Sequence, residues 1–155
     1  MPRAGWWTLG GIGVATAIAL SIYVSFHLLY PNSLEITNQS IYDAVSVRSL
    51  VLKAPKGGFL VTYRLLNTIL PDSVIASSYY LFPDTYTNFR IFLSPEVNAD
   101  TLSDTLLAGA VYEDTNENKV WDGPSIDKPL KTLLGQPVIS VFRNTRLPED
   151  FTETP

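Results

Sequence analysis

The residues with the plainest chemistry stand together in the run Glu113-Asp114-Thr115-Asn116-Glu117-Asn118-Lys119-Val120-Trp121-Asp122. Asp114, Asn116 and Asn118 are spaced two apart, like positions 1, 3 and 5 of a calcium loop. Val120 falls at position 7, where a backbone carbonyl serves, and Asp122 at position 9. Hard oxygens crowded in this way suit Ca²⁺, so these residues are the candidate metal ligands. Two positions depart from the pattern. The sixth is Lys119, where the sharp turn wants Gly, and the twelfth is Ser125, where a bidentate Glu belongs. Asp127 is the nearby carboxylate that would stand in. The competing reading is a solvated loop, because Asp and Asn tolerate left-handed backbone and make side-chain turns. A cation here would stiffen a loop rather than drive a reaction.

The rest of the composition excludes more chemistry than it offers. The chain has no Cys and a single His, His27. Thiolate nucleophiles, disulfides, multi-His zinc sites and Ser-His-Asp arrangements are therefore not expected, and neither is an enzyme. Glu96, Asp100 and Asp104 recur every fourth residue, but like charges at that spacing repel and read as a solvated face. Asn38-Gln39-Ser40 is an acceptor triplet for glycosylation at Asn38. Tyr79, Tyr80, Phe82 and Tyr86 crowd one region; core or cross-strand pairing is expected over a sugar- or protein-binding patch.

These residues need a frame, and the frame changes character at residue 30. No charged side chain lies between Arg3 and Glu35. The run 6–30 is apolar, bounded by Trp6 and Trp7 at one end and Tyr30 at the other. It exceeds the roughly 20 residues a helix needs to cross a bilayer, and its apolar core is longer than that of a cleaved signal peptide. The reading is an uncleaved signal anchor that holds the lipid bilayer through 6–30. Residues 1–5 are then cytoplasmic, because Arg3 precedes the segment while Glu35 and Asp43 follow it. The remainder lies outside the cell membrane as a single-pass protein. Gly13, Ala17, Ser21 and Ser25 form a small-residue row that suits self-association in lipid. Beyond Tyr30 lie all 15 Asp and Glu and all but one of the 11 Lys and Arg. That acidic balance argues against a nucleic-acid partner.

Past the apolar run the periodicity is two. Short runs around 34–37, 44–52, 59–64, 74–81, 88–93, 105–112 and 137–143 are rich in β-branched and aromatic residues. Pro55-Lys56-Gly57-Gly58, Pro71-Asp72-Ser73 and Pro83-Asp84-Thr85 read as turns between them. Only 95–104 suggests a turn of helix. The expected fold is an all-β immunoglobulin-like sandwich of about seven strands over 33–143, with a closed barrel as runner-up and 144–155 as a disordered tail.

Several stretches, in order, resemble one family. Asn38-Gln39-Ser40, Gly57-Gly58-Phe59, Ser78-Tyr79-Tyr80-Leu81 and Asn88 through Leu93 are followed by the run from Leu107 to Asn118 ending at Trp121-Asp122. Asp127, Pro129 and Pro137-Val138 complete the set. Together they are similar to an uncharacterised extracellular β-sandwich domain that recurs in cell-surface proteins of archaea, notably halophiles, and of some bacteria. That family often carries a Gly within the acidic loop, where this chain has Lys119, and a His where it has Tyr63. The resemblance implies a cell-surface place and a sandwich, and no activity. The functional expectation is a membrane-anchored structural or interaction module whose partner is a surface or envelope protein. The alternatives are a pilin-like filament subunit with its apolar helix in the filament core, and a cation-binding surface domain.

Overall fold

A computed structural model of the chain describes residues 31–66, 70–132 and 134–146. Their strands are β1 (Ser33–Glu35), β2 (Ala44–Leu52), β3 (Gly58–Leu66), β4 (Leu70–Ser77), β5 (Asp84–Phe92), β6 (Leu106–Glu113), β7 (Lys128–Pro129) and β8 (Ile139–Arg143). β2 shows how alternation selects a face: Val45 and Val47 are buried while Ser46 and Arg48 between them are exposed. The buried set changes phase to Leu50 and Leu52 in the second half of the strand. There the facing strand β5 carries Asn88 in the left-handed region, φ 51°.

Two antiparallel sheets result. One has the order β1-β2-β5. The other has the order β4-β3-β6, with β8 and β7 sharing the far edge of β6: β8 lies along Leu106–Ala110 and β7 along Tyr112–Glu113. The inner faces meet in one core, where Val47 and Leu50 of β2 join a cluster with Leu60, Leu107, Val111 and Phe142 of the opposite sheet. The described residues therefore form an all-β sandwich. β3 is buried on both faces. Leu60 points into this core, while Phe59, Val61 and Tyr63 form a second cluster with Ala110 and Tyr112. A strand covered on both sides reads as a continuous apolar run, which is how GFLVTYRLL looks.

Several sequence expectations change. Pro71-Asp72-Ser73, expected as a turn, lies inside β4. β4 is an edge strand, where a residue without an N–H is tolerated. Asp84-Thr85 likewise opens β5 rather than closing a turn. The helical turn suggested by 95–104 is a 3₁₀ turn, Ala99–Leu102, capped by the Asn98 side chain, which accepts from Asp100 N–H at 2.9 Å. Asp100 and Asp104 are not simply solvated: they pair with Arg146 and Arg143 at 2.8 and 2.9 Å. The chain beyond Arg143, expected as tail from residue 144, stays in the fold through Arg146. Asn144 is buried, accepts from Ile41 N–H at 3.0 Å and donates to the Leu102 carbonyl at 2.8 Å. Residues 147–155 and the apolar segment 6–30 lie outside the described residues. Among the described residues, no helix is long and apolar enough to cross a membrane.

Candidate functional site

The acidic run leaves the sheet at the end of β6 and returns in β7, and the pairing of Tyr112 with Pro129 and Glu113 with Lys128 closes it as a loop. Against it packs the tight turn into β3. Gly57, at φ 68°, donates its N–H to the Ala54 carbonyl at 2.9 Å, and its own carbonyl accepts from Asp114 N–H at 3.3 Å. Gly58 runs so close to β6 that a methyl group there would fall on the Tyr112 carbonyl oxygen. Only glycine permits that approach.

Two carboxylates are fully buried inside the loop, Asp114 and Asp127, each 0% exposed. Asp127 ties the two limbs together: Oδ1 accepts from Thr115 N–H at 3.3 Å and Oδ2 from Asp122 N–H at 2.9 Å. Asp114 Oδ2 accepts from Lys119 N–H at 2.8 Å, whereas its Oδ1 has no hydrogen-bond donor. Asp122 Oδ2 accepts from the side-chain amides of Asn116 and Asn118 at 2.8 and 2.6 Å. Asn118 Oδ1 in turn accepts from Val120 N–H at 2.8 Å. The structure thus joins Asp114 to Lys119 in one bond and Asn116, Asn118, Val120 and Asp122 in a network, all within one closed turn. Asp127 serves the loop as its tie, each of its oxygens holding one backbone N–H group. Among the described residues, no three Asp, Glu or His side chains form a metal-holding group. The donor set here is instead mixed: two carboxylates, two amides and a carbonyl.

Lys119 adopts φ 61°, the left-handed turn for which a calcium loop uses Gly at its sixth position. Its ammonium is drawn away over the rings of Tyr80 and Phe82, 5.5 Å from each centroid. On the outer rim Lys56 pairs with Glu117 at 2.9 Å and donates to the Thr115 carbonyl at 3.2 Å. The hydrogen bond to Glu117, followed by that residue's charge, raises the Lys56 pKa. Trp121 anchors the loop on the second cluster, its ring 4.6 Å from Tyr112 and 6.0 Å from Phe59. Tyr80 donates to the Lys56 carbonyl at 2.7 Å, and burial, then the charges of Asp114 and Glu117, push its phenol upward.

The aromatic group splits. Tyr80 and Tyr86 are half-buried as expected, but Tyr79 and Phe82 are 93% and 61% exposed. Asn38 is exposed near the other end of β6, its Oδ1 accepting from Arg143 N–H at 2.8 Å.

Beneath the loop, Tyr63 donates to the Tyr112 hydroxyl at 3.0 Å. Burial first, and that bond second, hold the Tyr63 phenol well above the usual tyrosine range. The unfolded chain releases this proton near pH 10, as an ordinary tyrosine does, while the folded chain keeps it. The unfolded state then binds fewer protons, so stability that is full below about pH 10 falls as the pH rises further. Tyr63→Phe is expected to flatten that alkaline loss in urea titrations at pH 9 and 11. An unchanged pH slope would remove Tyr63 as its source.

That the Lys56–Gly58 turn and Tyr80 pack on the acidic loop, and that Asp127 ties its limbs, escapes a reading along the chain. Register between β3 and β6 brings the turn to the loop, the Gly58–Leu81 bridge brings Tyr80, and the β6–β7 pairing brings Asp127; no local pattern encodes these pairings. Neither the curated proteins nor the solved structures offer a match to this chain. A family model described as a domain of unknown function, DUF7282, matches residues 32–144, and the chain belongs to that family.

Proposed function

We propose that this protein is a membrane-tethered module that displays its sandwich at the cell surface to engage a partner, without catalysis. The carrying observation is the charge-free run 6–30 set directly before a domain that buries its own core. A helix over that run satisfies its backbone groups in lipid. Arg3 before it, with no Lys or Arg after it until Arg48, supports a domain on the outer side. Strand order supports an immunoglobulin-like layout: β2 and β3 lie in opposite sheets, β2 pairs with β5, and β3 pairs with β6. Such sandwiches gather their loops at two ends, and the acidic loop with exposed Phe82 beneath Lys119 offers one such end. The lack of Cys, and a His confined to the apolar run, support a binding rather than a catalytic role.

Because the chain is free of Cys, introduced thiols report topology cleanly. In intact cells, a membrane-impermeant maleimide is expected to label Ser125→Cys and to label Pro2→Cys only after lysis. The protein should stay with membranes through alkaline carbonate extraction. The reversed labelling pattern, or release into the soluble fraction, would overturn the reading.

A further inference from the structure

We infer that the loop 114–122 is a Ca²⁺ site, with Asp114, Asn116, Asn118, the Val120 carbonyl and Asp122 as ligands and Asp127 as the positioning residue. The inference goes beyond surface display and does not depend on the membrane tether.

Spacing alone would leave an acidic cluster. What sets this one apart is Asp114 Oδ1. Asp114 is 0% exposed, and this oxygen has no hydrogen-bond donor. A buried carboxylate oxygen without a partner is strongly unfavourable. The other oxygen holds Lys119 N–H at 2.8 Å, five residues further on, which turns the carboxylate into the loop rather than out of it. A divalent cation satisfies such an oxygen where no protein donor does.

The remaining donors suit the same ion. The Asn116 and Asn118 amides converge on Asp122 Oδ2 through their N–H₂ groups, at 2.8 and 2.6 Å. Turning the Asn116 amide over replaces a donor with a carbonyl oxygen at nearly the same place, whereas Asn118 must exchange the Val120 N–H now held by its Oδ1 for the cation. A cluster now closed by hydrogen bonds thereby becomes a set of oxygens around a cation. Lys119 supplies the left-handed turn at φ 61° while its ammonium rests on Tyr80 and Phe82, outside the loop. Asp127 spends both oxygens on Thr115 and Asp122 N–H groups and so fixes the spacing of the two limbs. Ca²⁺ takes about 6–8 oxygens, leaving room for water beside the protein donors, and two carboxylates with no bidentate Glu place the affinity with extracellular modules, on the order of 10⁻⁴–10⁻³ M.

The test uses full-length protein in detergent micelles. Tb³⁺ accepts the same hard oxygens, and Trp121 lies within the loop as a sensitiser. Excitation of the indole is expected to yield Tb³⁺ emission that Ca²⁺ displaces at about 0.1–1 mM and that equal Mg²⁺ does not, since Mg²⁺ demands stricter octahedral geometry. The melting temperature should rise with Ca²⁺ over the same range. Asp114→Asn should abolish both effects. Asn116→Ala, at an exposed position that leaves the fold intact, should weaken Ca²⁺ by about tenfold or more through loss of one ligand. This second variant decides the matter where the first folds poorly. Absent Tb³⁺ emission and melting shift in the parent protein, undiminished Ca²⁺ affinity in Asn116→Ala, or equal displacement by Mg²⁺ would each overturn the site.

Discussion

Asp127→Ala is expected to lower the unfolding free energy by about 3–5 kcal/mol. The side chain is 0% exposed and accepts one backbone N–H on each limb of the acidic loop. Hydrogen bonds to a charged group contribute about 1.5–3 kcal/mol each, and truncation leaves both N–H groups without their acceptor. Asp127→Asn keeps one acceptor oxygen, so about half of the loss is expected. Urea unfolding followed by far-UV circular dichroism measures the change. The fluorescence of Trp121, which packs on Tyr112, reports whether the loop has come away from the sheet. A loss below about 1 kcal/mol would mean that surface water replaces these bonds freely. The loop would then owe its shape to Trp121 and the β6–β7 pairing instead.

A loss of similar size, about 3–5 kcal/mol, is expected for Phe142→Ala. Phe142 lies on β8, is 1% exposed, and belongs to the cluster that fills the space between the sheets. Truncation removes the transfer energy of the ring and leaves a cavity that the surrounding strands fill only in part. β8 has its ladder along β6, and on its other side its backbone is held at its end, through Arg143 and the Gln39–Asn144 bridge, so core packing through this side chain carries much of its attachment. The neighbouring Val141 is exposed, and Val141→Ala should stay within about 0.5 kcal/mol of the parent. Equal effects at the two positions, measured by the same urea titration, would show that β8 is held by its ladder rather than by its buried face.

What was legible in the sequence is what depends on near neighbours along the chain. Alternation with period two marks a strand because successive side chains point to opposite faces, so β2, β3, β6 and β8 are visible as runs of residue types. Spacing of oxygen-bearing residues at every second position is equally local, and it singled out Asp114, Asn116, Asn118 and Asp122 before any fold was known. The ordered stretches also carried the likeness to an uncharacterised β-sandwich domain, in keeping with the DUF7282 match over 32–144. Tertiary structure decided the rest. It put Pro71 inside an edge strand and kept Asn144 and Arg146 in the fold. It set the Gly57-Gly58 turn and Tyr80 against a loop far along the chain, made Asp127 a tie between limbs, and buried one oxygen of Asp114 without a donor. These outcomes turn on which strands pair and in what register. Burial and hydrogen bonding are settled by partners that only the folded sheets bring within reach.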